Sequence, residues 1–84
     1  MDPGYGYSLD REAVAALLQC SSREQRRLVD AFETIARHPH ALGDFSQTGL
    51  DGREHEVIEI GDLVVTFWPD HAVKTVRILL IERG

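Results

Sequence analysis

From Arg53 onward the hydrophobic and polar positions alternate with the two-residue period of half-buried strands. The first run, Arg53 to Ile60, meets Gly61-Asp62 and reverses. The second, Leu63 to Trp68, stops at Pro69-Asp70-His71, and the third extends from Ala72 to Ile81. β-Branched and aromatic residues crowd all three because they pack well on a pleated, half-buried surface. Gly-Asp between two such runs is a hairpin signal, since glycine supplies the positive φ of a primed turn. This half of the chain is therefore an antiparallel meander.

Before Arg53 the period changes to helical. From Asp10, Val14, Leu17 and Leu18 fall at i, i+3 and i+4, which predicts a helix whose apolar stripe they form, with Asp10 and Glu12 at its positive end. Ser21 and Glu24 stand in capping-box spacing and start a second helix running to about Arg37. Its inward stripe is Leu28, Phe32, Ile35 and Ala36. Pro39 pushes His38 out of the helical region and ends it. Tyr5 to Leu9 is a short strand candidate with Tyr5 and Tyr7 on one side; residues 39–52 form a connection with a short strand candidate at Phe45. The expected fold is α+β, a helical hairpin packed on one face of a small antiparallel sheet in the order (β)ααβββ.

A turn at Gly61-Asp62 pairs Ile60 with Leu63, Ile58 with Val65 and Glu56 with Phe67 on one face. Val76, Ile78 and Leu80 join that set, which is apolar and belongs against the helices. The opposite face receives Arg53, His55, Val57, Thr66, Trp68, Arg77, Leu79 and Ile81. Such a mixture suits a contact surface, for which Thr66, Trp68, Leu79 and Ile81 are the candidate binding residues.

Composition narrows the classes. At 84 residues the chain is one domain, 1–84, with no internal repeats. A chain of this size buries only about 60–65% of its unfolded surface. The formal net charge is −5, and residues 44–84 carry four of those five negative charges. That is the reverse of a nucleic-acid binder, which gathers Lys and Arg for phosphate. Single Cys20 cannot form an internal disulfide and reads as an inert thiol. Met1-Asp2-Pro3-Gly4 lacks the form of a secretory leader, and no run reaches the roughly 18 apolar residues of a membrane span. A cytoplasmic protein with no membrane association is expected.

Candidate chemistry is sparse. His55, on a strand flanked by Glu54 and Glu56, is a candidate general base, weighed against a solvent-facing residue packing on Trp68. Arg77 is a phosphate clamp or a partner for a carboxylate, and Trp68 an interface anchor or a partly buried edge residue. Neither His55 with Glu59 nor Asp51 with His55 and His71 has a recognised metal-ligand spacing. There is no phosphate loop, nucleophile elbow or paired-cysteine motif, so no cofactor or metal is expected. Arg23, Arg26 and Arg27 read as a solvated helix face, and are also the one basic patch suited to an acidic partner.

The element order and several stretches resemble the RelE/ParE superfamily of bacterial toxins, found in toxin–antitoxin and plasmid-stabilization systems. The stretches are Phe32 to Pro39, Leu50-Asp51-Gly52-Arg53, Ile60 to Phe67 and Val76 to Arg83. RelE-like members cleave messenger RNA on the ribosome with basic residues of the open sheet face; ParE-like members inhibit DNA gyrase through protein contact. Both kinds are neutralised by an antitoxin protein. If the chain is an RNase, the resemblance implies Arg53, His55, Arg77 and Arg83 as the catalytic set. The chain departs from the pattern where Val64 stands for an arginine after the Gly61-Asp62 turn, where His55 and Val57 stand for lysines, and where Arg83-Gly84 stands for a final Tyr or His. These departures favour a toxin-superfamily domain, with a degenerate catalytic set, that works or once worked through protein contacts. A ribosome-dependent mRNA endonuclease is the second reading, and an interaction module or homodimer joined through a strand edge or the open face the third.

Overall fold

A computed structural model describes residues 4–40, 45–48 and 52–84. Seven elements follow in chain order: β1 (Gly6–Leu9), α1 (Arg11–Leu18), α2 (Ser22–Arg37), β2 (Phe45–Thr48), β3 (Glu54–Ile60), β4 (Leu63–Asp70) and β5 (Thr75–Arg83). The strands form one sheet in the order β1-β5-β4-β3-β2, with both helices on one face. The expected α+β architecture and element order are present, including both short strand candidates. The sheet is mixed rather than wholly antiparallel, because β1 lies parallel to β5.

The β3–β4 hairpin has the register read from the alternation, with Ile60 opposite Leu63, Ile58 opposite Val65 and Glu56 opposite Phe67. Gly61 turns it at φ 64°, a conformation that β-carbon-bearing residues rarely adopt. A β-carbon there would also come within 3.1 Å of the Arg27 guanidinium. Arg27 therefore reaches back over the hairpin tip rather than standing wholly in water. β4 runs through Pro69 to Asp70 because β3 pairs only as far as Phe67, leaving Pro69 a neighbour on the β5 side alone, where a missing N–H is tolerated. β5 correspondingly begins at Thr75, after a turn in which Lys74 has φ 52°.

One irregularity changes the faces. Thr66 pairs with Leu80 but Phe67 pairs with Ile78, so Leu79 is an extra residue in β5. The bulge resets the two-residue alternation beyond it. Leu80, expected against the helices, lies on the opposite face beside Thr66. Ile81, expected as a binding residue there, pairs with Val65 and is buried in the core at 7% exposure.

α2 buries Leu28, Phe32 and Ala36 against the sheet, with Ile35 packed at the margin, as its stripe predicts. Its capping box is formed: Glu24 N donates to Ser21 Oγ at 3.2 Å and Ser21 N to Glu24 Oε1 at 2.9 Å. α1 turns differently. Ala13, Ala16 and Leu17 face inward, while Val14 and Leu18 are 41% and 71% exposed. Alanines carry little weight in an apolar stripe, yet their small size lets α1 lie close on β5. Cys20 is part-buried, with its thiol donating to Ala16 O at 3.4 Å.

The N-terminal strand is tied at both ends. Tyr5 N donates to Ala36 O and Asp10 N to Ile78 O, each at 2.9 Å. Tyr7 lies with its ring centroid 5.6 Å from that of Phe32, closing the core on this side. No helix among the described residues is long and apolar enough to cross a membrane.

Candidate functional site

The face of the sheet away from the helices is built from alternate residues of β3, β4 and β5. Val57, Thr66 and Leu80 form a row across three strands. His55 lies two residues from Val57 along β3, and Trp68 two residues from Thr66 along β4, so both belong to the same face. Trp68 pairs with Arg77, which brings the guanidinium of β5 to this end.

This face is less open than its amphipathic composition suggests. Val57 is 2% exposed, Thr66 4% and His55 9%. His55 is thus an enclosed imidazole, unlike the solvent-facing residue expected beside two glutamates. Trp68 and Leu80 remain half-buried at the rim.

The arginines are engaged within the chain. The Arg53 guanidinium lies over the Trp68 ring, 4.4 Å from its centroid, a cation–π arrangement. Arg77 Nε stands 3.8 Å from Asp70 Oδ2, an ion pair without hydrogen-bond geometry. Arg83 is set apart from both. Opposite Leu63 in the β4–β5 register, it belongs to the helix face of the sheet. There it holds Glu24 with two parallel bonds, Nη1 to Oε2 at 2.8 Å and Nη2 to Oε1 at 3.0 Å, and reaches Asp62 Oδ2 at 3.4 Å. The Arg83 hydrogen bond, followed by the Ser21 backbone N–H, lowers Glu24 to a pKa of about 2. Glu24 in turn raises Arg83 still further above its ordinary range.

Of the four residues that the resemblance nominates for catalysis, the fold gathers Arg53, His55 and Arg77 on one face and sends Arg83 to the other. Of the four candidate binding residues, Thr66 and Trp68 share that face, Leu79 is the bulge and Ile81 is core. Among the described residues no three His, Cys, Asp or Glu side chains gather as a cation site. Asp51, and Leu50 of the resembling stretch, lie outside the described residues.

Sequence spacing alone misses two groupings. One is the Glu24–Arg83 pair, 59 residues apart. The other gathers at the far end of the sheet, where Tyr5 Oη and His71 Nδ1 are 2.8 Å apart and the His40 and His71 rings stack at 5.0 Å and 8°. Each histidine lies just after a proline, Pro39 past the end of α2 and Pro69 within β4, but that shared neighbour does not pair them across the chain.

No protein-family model matches the chain, and no curated protein does. Solved structures do. The fold is that of the RelE toxins. The chain is similar to the archaeal RelE–RelB complex from Pyrococcus horikoshii, at TM-score 0.78 and 17% identity over 95% of this chain and 94% of that one. It is similar to a RelBE toxin–antitoxin complex from Mycobacterium tuberculosis, at TM-score 0.75 and 22% identity over 96% and 99%. The intact E. coli RelBE toxin–antitoxin complex matches at TM-score 0.59 and 12% identity over 95% and 96%.

Proposed function

We propose that this chain is a RelE/ParE-like toxin-superfamily domain that acts through protein contacts and is held by an antitoxin partner. The observation that carries this reading is the state of its arginines on a RelE-like fold: Arg83 is committed to Glu24, Arg53 to Trp68 and Arg77 to Asp70. Cleavage beside a 2′-hydroxyl needs a base, an acid and cationic stabilisation of the phosphorane. A sheet half with four excess negative charges and internally paired guanidinia supplies that stabilisation poorly. The antitoxin partner is supported by the solved structures of this fold, which hold toxin–antitoxin complexes.

A second reading has one observation in its favour. Arg53, His55 and Arg77 do share a face, which is where a ribosome-dependent mRNA endonuclease of this fold would need them. The protein-contact reading is favoured because His55 is enclosed and Arg83, the fourth member, lies on the opposite side.

Induced expression in bacterial cells separates the two. Growth arrest in which DNA synthesis falls before translation is the expected result and points to gyrase as the target. Translation falling first would transfer support to the endonuclease reading. Normal growth at good soluble yield would remove toxicity and leave a binding domain.

A further inference from the structure

The corner where α1 turns into α2 carries three arginines. Arg23, Arg26 and Arg27 fall at i, i+3 and i+4 in the first two turns of α2, so they share its outer side. All three are exposed, and among the described residues none enters an ion pair. That sets them apart from Arg53, Arg77 and Arg83, each engaged within the chain. The acids that lie nearest them are taken or badly placed. Glu24, three residues before Arg27, is held by Arg83, as is Asp62 at the hairpin tip. Asp30 comes three residues after Arg27 and four after Arg26, and an acid that follows its arginine is the less favourable order for such a pair.

We propose that this corner docks an acidic segment of a partner protein, with carboxylates on Arg23, Arg26 and Arg27 and an apolar side chain on Leu18. Guanidinium forks bind carboxylates through paired bonds, and arginine is enriched at protein interfaces. Leu18, the last residue of α1, is 71% exposed and lies one turn from Val14, 41% exposed. Gln25 Nε2 donates to Leu17 O at 2.9 Å, which ties the residue before Leu18 to the residue before Arg26. Apolar and cationic positions therefore meet at one corner, a combination that suits a segment carrying both aliphatic and acidic side chains.

The balance of charge favours a protein over a nucleic acid. With Arg83 on one side and Glu24, Asp30 and Asp62 on the other, the corner holds four guanidinia and three carboxylates, in a chain whose net charge is −5. Nucleic-acid affinity comes from neutralising many phosphates. A long polyanion would run from this small excess onto the acidic remainder of the chain, whereas a short acidic segment can end where the arginines end.

The corner is also fixed in advance. The capping box closes the start of α2, Arg83 fastens Glu24 to the sheet, and Gln25 fastens α2 to α1. The Arg27 guanidinium packs against Gly61, where the absence of a β-carbon leaves it room. A surface that is already ordered loses less entropy on binding. The inference rests on this surface and stands whether or not the protein is toxic.

The test is a nitrogen-15 chemical-shift titration of the full chain with an acetylated Glu-Glu-Leu-Glu-Glu-Leu peptide, using the same peptide with glutamine for glutamate as a neutral probe. The acidic peptide is expected to move the side-chain Nε–H signals of Arg23, Arg26 and Arg27 and the backbone signal of Leu18, and the neutral peptide to leave them in place. Arg23→Gln with Arg26→Gln is expected to weaken the acidic peptide by about tenfold, and unchanged binding would count against the proposal. Should that double variant fail to fold, Arg23→Gln alone replaces it, with the same two outcomes. Equal shifts from the neutral peptide, equal shifts at Arg53 and Lys74 towards the other end of the sheet, or tighter binding of a short oligouridylate at the same signals would each overturn it. So would movement of these signals on concentrating the protein alone, which would give the corner to a second copy of the chain.

Discussion

Arg83, at the end of the last strand, grips Glu24, in the first turn of α2, through two parallel guanidinium–carboxylate bonds of 2.8 and 3.0 Å. Glu24 simultaneously accepts from Ser21 N in the capping box. One carboxylate thus closes the start of a helix and fastens it to the sheet. The arrangement gives Arg83 a structural role on the helix side, away from Arg53, His55 and Arg77.

A pH dependence follows from the depressed Glu24. Its folded pKa of about 2 lies below the ordinary 4.5, so the pair contributes stability at pH values above 4.5. That contribution is lost progressively as pH falls from 4.5 towards 2. Arg83→Gln is therefore expected to be less stable than wild type in urea at pH 7, with the gap between the two closing below pH 4.5. Since both groups are solvent-accessible, raising salt should also narrow the gap at pH 7.

Ser21→Ala removes the side-chain acceptor for Glu24 N. It is expected to cost about 1 kcal/mol, the usual worth of such a cap. Denaturant midpoints of the single and double variants Ser21→Ala and Arg83→Gln should be non-additive, because both act on Glu24.

The bulge at Leu79 orders two neighbouring substitutions. Ile81→Ala empties a core position and is expected to cost about 2–5 kcal/mol. Leu80→Ala, half-buried on the other face, should cost about 1 kcal/mol. An unbroken alternation along β5 would give the opposite ranking, so equilibrium unfolding of the pair reads the register directly.

Phe32 is fully buried beneath the Tyr7 ring and within the core formed by Val65, Phe67, Val76 and Ile78. Phe32→Ala is expected to cost about 3–5 kcal/mol. For a chain of this size that is a large share of a total of roughly 4–13 kcal/mol. Circular dichroism at 37 °C should show a substantially unfolded population.

Much of this architecture is legible in local pattern. The hairpin register follows from two-residue periodicity and the Gly61 turn, and α2 from its stripe, its capping box and Pro39. The α1 stripe was not legible, because its true inner residues include Ala13 and Ala16, which periodicity barely weights. Nor was the bulge: Leu79, Leu80 and Ile81 are all apolar, so either register buries an apolar residue. The site was legible only in part. Arg53, His55 and Arg77 fall on one face by alternation, while the commitment of Arg83 to Glu24 and the stacking of His40 on His71 are long-range contacts with no local signature.

The central claim, that this RelE-like domain works through protein contacts and not RNA cleavage, is tested most directly by mixing the purified protein with translating ribosomes and mapping the ends of the mRNA. No new 5′ ends above a control lacking the protein are expected. Cuts that appear with wild type and vanish with a His55→Ala variant of unchanged circular dichroism would contradict it.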